Sequence, residues 1–464
     1  MKGKKNASPQ QSNLFEDLEL PEGWSLTKIR DLVTINYGKG LKEAVRAGGS
    51  ISVFGSNGIV GSHNKALTDG PSIIIGRKGS IGEVHYSANP SWPIDTTYYI
   101  DKFEGIDPTF LVFALKSLNL SDLDTSTAIP GLNRNDIYDQ EIPLPPLPEQ
   151  QRIVARIEAL LTQVNAARDR LSRVPLIMKK FRQAVLAAAC SGRLTEGWRG
   201  ENVEIESAAE LLKRIEIERR SVWQQCSKTQ MIKRSQKKCY PQPQNVDVED
   251  LSPLPESWLW VTLDQIVQEN RPIVYGIIKP GPDTPGGVLY VRVNEMEDGE
   301  FIDVSKLRRA SNEIAKKYAR ASLNAGDLLI SKDGTIGRTA LVPPELAGGN
   351  ITQHTVRVSI HPIIDKIFIM RTVQSQFSQQ WLEAEKKGVA LQGVNVEDFR
   401  RLPLPLPPLA EQYEIVRRVG LLFERADAID REVEAAGRRC ERLTQAVLAR
   451  AFRGEIRGSR NDSN

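Results

Sequence analysis

Cysteine and histidine are both scarce, with four of each in 464 residues. Cys190, Cys226, Cys239 and Cys440 form no C-x-x-C pair and have no histidine at ligand spacing. Neither a zinc site nor a disulfide framework is therefore expected, and a reducing cytosol is the natural setting. No apolar run approaches the roughly 20 residues that a membrane-crossing helix needs. The basic start Met1-Lys-Gly-Lys-Lys5 leads into no apolar stretch, so it does not read as a signal peptide. There is no Walker A pattern and no G-x-G-x-x-G between a strand and a helix. Asn89-Pro-Ser-Trp92 comes nearest to the Asn/Asp-Pro-Pro-aromatic motif of amino-methylating enzymes and lacks its second proline. No nuclease-like carboxylate cluster followed by lysine is present, and His63, His85, His354 and His361 are scattered. These absences point to a chain that is not itself an enzyme. Charge decides little: the net value is +4, and residues 24–141 hold 11 Lys/Arg against 13 Asp/Glu.

What the chain does have is a repeat. Ile142-Pro-Leu-Pro-Pro-Leu-Pro-Glu-Gln150 returns as Leu404-Pro-Leu-Pro-Pro-Leu-Ala-Glu-Gln412. Ile153 then matches Ile415, Gln183-Ala-Val-Leu186 matches Gln445-Ala-Val-Leu448, and Gly192 matches Gly454, all at an offset of 262. Upstream, Leu20-Pro-Glu-Gly-Trp24 matches Leu254-Pro-Glu-Ser-Trp258 at an offset of 234, so the second body is 262 − 234 = 28 residues longer. Inside the bodies, Ile75-Gly-Arg-Lys-Gly-Ser-Ile-Gly82 matches Ile330-Ser-Lys-Asp-Gly-Thr-Ile-Gly337. Each half thus reads as a Trp-marked start, a variable body, a PLPPL junction and a long helix. The bodies look α+β. Apolar runs at 72–75 and 327–330 enter glycine turns, as strands of hairpins do. Stretches 95–100 and 355–358 are strand-like, whereas 110–118 and 367–381 read as helices.

The helices after each junction carry apolar residues at alternating steps of four and three. Ile153, Ile157, Leu160, Val164 and Leu171 lie on the first seam, and Ile415, Val419, Leu422, Ile429 and Val433 on the second. A 3.5-residue spacing held over five heptads predicts a coiled coil, the alternative being two amphipathic helices lying on globular cores. Pro175 and its counterpart Gly437 weaken both helices at one level, which predicts a kink or break there. Between the halves, 207–215 reads as a helix with a Ser cap and Glu three residues on. Stretch 228–250 reads as an exposed or mobile linker.

The doubled, ordered set of motifs — L-P-E-x-W start, strand–G-[ST]-I-G hairpin, P-L-P-P-L-x-E-Q junction, Q-A-V-L-A helix end — resembles the specificity subunit of type I restriction–modification systems, the HsdS family. The resemblance covers nearly the whole chain. It implies an α+β protein with two globular target recognition domains separated by a pair of long antiparallel coiled-coil helices, related by an internal pseudo-two-fold repeat. In that scheme residues 1–19 are an N-terminal tail, 20–147 and 254–409 the recognition domains, 148–195 and 410–456 the spacer helices, 196–253 a helical segment and linker, and 457–464 a C-terminal tail.

The family role follows as an expectation. The chain reads a bipartite, asymmetric site in double-stranded DNA and binds no cofactor itself. Two modification subunits use S-adenosylmethionine to methylate adenine N6, and two restriction subunits use ATP and Mg2+ to translocate and cut. The setting is bacterial or archaeal cytoplasm. The competing readings are a catalytically active methyltransferase or nuclease chain and a coiled-coil interaction scaffold.

Base reading calls for Arg or Lys toward guanine and Asn or Gln toward adenine, on loops that enter a groove. In the first body the candidates are Ser56, Asn57, His63, Asn64, Arg77 and Lys78. In the second they are Tyr275, Lys279, Arg292, Asn294, Lys332, Asp333, Arg338, Gln353 and His354. Glycines of G-[ST]-I-G read as turn formers, and Asn133 and Asn395 as caps, because residues shared by both bodies suit neither of two different half-sites. Arginines off the seams, among them Arg152, Arg156, Arg417 and Arg418, are expected to face docking subunits.

Overall fold

The computed structural model describes residues 19–123, 131–229, 240–297, 300–301, 304–388 and 392–456. The expected tails, apart from Glu19, and nearly all of the basic stretch 228–238 lie outside them. The chain divides into two compact units, Met1–Val174 with Glu432–Asn464, and Pro175–Arg431. Among the described residues no helix is long and apolar enough to cross a membrane.

The first unit begins with β1 (Ser25–Lys28), α1 (Ile29–Leu32), β2 (Asn36–Tyr37), β3 (Ile51–Gly55), β4 (Gly58–His63), β5 (Ser72–Gly76), β6 (Val84–Ser87), β7 (Ser91–Pro93) and β8 (Thr97–Ile100). It continues through α2 (Pro108–Ser117), α3 (Arg134–Tyr138), β9 (Glu141–Leu144) and α4 (Leu147–Leu171). The second unit holds α5 (Val174–Cys190), α6 (Glu196–Glu201), α7 (Ala208–Thr229), β10 (Leu259–Thr262), β11 (Val274–Tyr275), β12 (Val288–Val291), β13 (Met296–Glu297), β14 (Glu300–Phe301) and β15 (Arg309–Ala310). After these come α8 (Asn312–Lys317), β16 (Leu328–Ser331), β17 (Thr339–Leu341), β18 (Asn350–Ile351), β19 (Thr355–Val358), α9 (Lys366–Val373), α10 (Gln376–Ala384), α11 (Val396–Arg401) and β20 (Pro403–Leu406). The last helix, α12 (Leu409–Phe452), contributes its first half to the second unit and its second half to the first.

The two bodies share one topology. A four-stranded antiparallel sheet runs β2-β8-β5-β6 in the first and β11-β19-β16-β17 in the second. A three-stranded sheet runs β4-β3-β7 in the first, with β3 and β7 parallel, and β15-β12-β18 in the second, with β12 and β18 parallel. The recurring end motifs pair with each other: β1 with β9 (Ser25 opposite Leu144) and β10 with β20 (Leu259 opposite Leu406). The Trp-marked start and the PLPPL junction are thus two sides of one ribbon that closes each body.

The junction glutamine has an equally local cause. The Gln150 side chain accepts from the Asp107 amide (2.8 Å) and donates to the Pro145 carbonyl (2.9 Å). Gln412 does the same with Asp365 (2.9 Å) and Pro407 (2.9 Å). Asp107 and Asp365 are themselves the N-caps of α2 and α9, accepting from Phe110 and Phe368. One buried amide therefore ties the start of each long helix to the capped end of each body's core helix. Behind it, Ile73, Ile75, Tyr98 and Ile100 pack on Phe110, Leu111 and Leu115. Leu328, Ile330, Val356 and Val358 pack on Phe368, Ile369 and Val373. Each such side chain contributes about 1.5–3 kcal/mol.

The seam residues divide by position. Ile153 and Ile157 are buried in the first body's core, where Leu448, Ala451 and Phe452 at the far end of α12 join them, so α4 and this part of α12 run antiparallel. Ile415 and Val419 are buried in the second core with Val185, Leu186 and Ala189 of α5, again antiparallel. Leu160, Val164, Leu171, Leu422 and Val433 are half-buried. Ile429 departs from the expectation: it is 44% exposed, while Ala426 beside it is buried. Helix pairing and docking onto globular cores are both present.

The break expected at Pro175 occurs, and only on one side. α4 ends at Leu171 and α5 starts at Val174, with Pro175 in its first turn, where a missing N–H leaves no intrahelical bond unmade. α12 runs unbroken through Gly437, because about 1 kcal/mol is too little to interrupt a helix of 44 residues.

Three further segments add to or differ from the sequence reading. Stretch 367–381 is two helices, since Ser375 caps α10 by accepting from the Ser378 amide. The Ser207–Glu210 capping box forms as expected (2.8 Å and 3.3 Å), but α7 is no free segment: Ala208, Leu211 and Ile215 are fully buried in the second core. The linker residues 241–250 are mostly exposed, as expected, and the stretch from Tyr240 to Asn245 is also hydrogen-bonded to the second body. Tyr240 donates to Glu269 (3.3 Å), the Gln244 carbonyl accepts from Thr262 (3.0 Å), and Asn245 accepts from Gln265 (3.2 Å).

Candidate nucleic-acid interface

In the second unit the hairpin between β16 and β17 holds Lys332, Asp333 and Arg338 at its turn. Gly334 and Gly337 take φ of +74° and +82°, and a Cβ on Gly337 would run into the Gln379 side chain. The turn-former reading of these glycines fits that geometry. Asp333 is not the open acceptor expected. It is 9% exposed, and its carboxylate accepts from Lys332 Nζ (2.9 Å) and His354 Nδ1 (2.9 Å). A proton on His354 Nδ1 leaves Nε2 to accept from Gln353 (3.3 Å). The buried carboxylate so orders a lysine, a histidine and a glutamine that remain part-exposed.

This turn forms one wall of a cleft of about 570 Å³, to which Arg292, Asn294, Asp333, Arg338 and His354 all contribute. Arg292 is held by Glu295, which accepts from its Nε (2.8 Å) and its backbone amide (2.9 Å); that hydrogen bond raises the arginine's pKa. Arg338 donates through Nη1 to the Met296 carbonyl (3.2 Å). Tyr275 lies under the Arg320 guanidinium (5.5 Å), and Lys279 is exposed. Residues from three stretches of sequence thus converge on one concave surface of guanidinium, amide and imidazole groups.

In the first unit Ser56 and Asn57 form the turn between β3 and β4. A Cβ on Gly79 would sit 3.1 Å from Ser56 Oγ, so this turn and the β5–β6 hairpin that carries Arg77 and Lys78 meet. His85 Nε2 bonds the Ser56 carbonyl at the same place (3.2 Å). His63 and Asn64 stand at the other end of β4. His63 is a correction: it is 8% exposed, edge-on to Trp92, and accepts from the Ala47 amide (3.3 Å). A ring so enclosed supports the sheet and presents nothing to a groove. Asn64 is exposed.

Arg77 is positioned by aromatics. Its guanidinium lies 5.2 Å from the Tyr37 ring and 5.8 Å from Tyr98, and donates to the Asp95 carbonyl (3.3 Å). Arg134 approaches the same Tyr37 ring at 5.0 Å. Burial, followed by the neighbouring Tyr37, raises the Tyr98 pKa. Two stacked arginines on a half-exposed tyrosine present fixed donors to an anionic or base-edge partner. Tyr37 and Arg134 were not singled out from the sequence, where nothing joins positions nearly a hundred residues apart, and His85 was read there only as one of four scattered histidines. Asn133 caps α3, accepting from the Asn135 amide (3.0 Å); Asn395 occupies the N-cap of α11 without a side-chain bond. Among the described residues no group of three or more His, Cys, Asp or Glu could hold a metal ion.

The sequence matches the family described as the type I restriction modification DNA specificity domain twice, over residues 21–174 and 273–433. It is 34% identical over 333 residues to the type I restriction enzyme EcoBI specificity subunit of Escherichia coli, covering 72% of this chain and 62% of that protein's length. It is 26% identical over 445 residues to the EcoDI specificity subunit of Escherichia coli, covering 94% of this chain and 90% of the relative. A solved structure concerned with complex assembly and conformational transition of the type I R–M system aligns with a TM-score of 0.60 at 17% identity, over 94% of this chain and all of that one. At that identity the likeness concerns the fold alone.

Proposed function

Since the chain belongs to the type I restriction–modification DNA specificity family, we propose that it is the DNA-reading subunit of such a system, each unit taking one half of a bipartite, asymmetric site in double-stranded DNA. One observation carries the reading: a single frame is built twice, ribbon, glutamine clamp and hairpin alike, while the side chains on the two hairpin surfaces differ. The first offers Arg77 and Arg134 around Tyr37, with Lys78 next to Arg77 in the turn; the second offers Arg292, Asn294, Arg338 and His354 in a cleft. A common frame with unlike surfaces suits two unlike half-sites. The chain supplies recognition and no chemistry. Two modification subunits bring S-adenosylmethionine and methylate adenine N6; two restriction subunits bring ATP and Mg2+. Together they act in the cytoplasm of a bacterium or archaeon. Exposed arginines on the long helices, Arg417 among them, are offered to those subunits.

The test is to express the chain with its modification subunits and map N6-methyladenine across the host genome. A single motif of two defined halves around unspecified bases is expected. A contiguous motif, or methylation that persists without this chain, overturns the reading.

A further inference from the structure

The second unit's cleft has an apolar element among its charged walls. Ile278 is 45% exposed and lines the cleft together with Pro280 and Val293, facing the same space as Arg292, Asn294 and Arg338. Its exposure is imposed by the backbone. Ile277 donates to the Ile351 carbonyl (2.7 Å) and its own carbonyl accepts from Gln353 (2.9 Å), which fixes an extended segment along β18. Gly276 permits this approach, since a Cβ there would collide with the Ile351 carbonyl. In extended chain successive side chains point to opposite faces. Ile277 is fully buried, so Ile278 is turned outward into the cleft and cannot retreat into the core. Single exposed apolar residues are ordinary on protein surfaces. This one is held in a concave site that also presents the guanidinium donors of Arg292 and Arg338 and the Asn294 amide.

Resting on the DNA-reading proposal above, we propose that Ile278, with Pro280 and Val293, forms a shelf for the C5-methyl group of a thymine in the second half-site. The methyl is the one apolar group that a base pair displays in the major groove. The polar residues around the shelf register hydrogen-bonding edges; the shelf separates thymine from cytosine by shape and hydrophobicity. The second half-site therefore contains at least one A·T pair whose thymine matters through its methyl group.

The experiment uses the chain assembled with its modification subunits and duplexes carrying the mapped site. Each thymine of the site is replaced singly by uracil, which removes the methyl and leaves the base-pairing edge unchanged. One position in the second half-site is expected to bind about three- to tenfold more weakly as uracil. In Ile278→Ala the thymine and uracil duplexes bind equally at that position, and Ile278→Leu restores the difference. Uracil substitutions in the first half-site respond identically in wild type and variant. A second half-site without thymine on either strand, no uracil-sensitive position there, or a sensitivity that persists in Ile278→Ala overturns the inference. Failure of the wild-type complex to bind its site at all overturns the DNA-reading proposal instead. Thermal unfolding of both variants checks that this half-exposed position leaves the fold intact.

Discussion

The two units use the same junction and fasten it differently. In the second, Glu411 is completely buried and accepts from Thr195 (2.7 Å), Arg199 Nε (3.0 Å) and the Trp258 indole (2.7 Å). Among the described residues its counterpart Glu149, half-buried, makes no side-chain hydrogen bond, and the buried Trp24 indole nitrogen meets no partner. Positions 457 and 461, which the repeat sets against Thr195 and Arg199, lie outside the described residues. The helices repeat the contrast. Arg182 of α5 bonds Asp430 (2.8 Å) and Asp427 (2.5 Å) of α12, where the 262-residue offset places Thr444, Arg168 and Asn165 in the first unit. The glutamine clamp is identical in both. Backbone-directed contacts have thus survived duplication, whereas among the described residues the side-chain locks on Glu411 and Arg182 are formed in the second unit.

The largest consequence concerns Glu411. Removing a buried carboxylate strands a guanidinium, a hydroxyl and an indole together, so Glu411→Ala should destabilise the second unit by about 3 kcal/mol. Glu149→Ala should cost about 0.5 kcal/mol or less. Urea unfolding followed by tryptophan fluorescence separates the two, and equal losses would remove the contrast. Next come the clamps. Gln150→Ala and Gln412→Ala each forfeit two hydrogen bonds and leave a backbone amide and a carbonyl unpaired, for about 2 kcal/mol apiece. Here the two values should agree; a clear difference would show that the clamps are not equivalent.

A smaller effect of opposite sign is expected at Gly437, where an added Cβ meets nothing within 4 Å. Gly437→Ala should raise stability by about 0.5–1 kcal/mol, seen as a higher Tm. The smallest is acid sensitivity. Hydrogen bonds from Arg417 and Arg418 pull the Glu414 carboxyl down to about 2 from its ordinary 4.5. A lowered folded-state pKa gives stability that is complete above about 4.5 and lost as pH falls toward 2. Exposed arginine partners keep it to about 0.5 kcal/mol. The offset places Arg152 there in the first unit, so Glu414→Gln should flatten the acid limb of the second unit's transition alone.

Local patterns were legible in the sequence because their causes are local. The hairpin glycines, the Ser207 cap and the break at Pro175 each follow from a few adjacent residues. The repeat revealed the PLPPL junction, though not why its glutamine recurs; that needed Asp107 and Asp365, more than forty positions upstream. Burial was the least legible property. His63 and Asp333 are polar residues in glycine-containing stretches, as groove-facing residues are, yet one packs on Trp92 and the other on Lys332 and His354. Ile429 keeps perfect heptad spacing and is exposed, since spacing marks a face without saying what covers it. The Arg77–Tyr37–Arg134 stack joins three distant stretches, and no periodicity could have suggested it.

If the two units read independently, damage to one leaves the other's half-site intact. The N6-methyladenine map of a host carrying Arg338→Ala, set beside the wild-type map, tests this. The first half-site and the spacing should stay unchanged while one position of the second half-site loses its base preference, a relaxation worth about 1–3 kcal/mol. An altered first half-site, or an unaltered motif at every position, would contradict it.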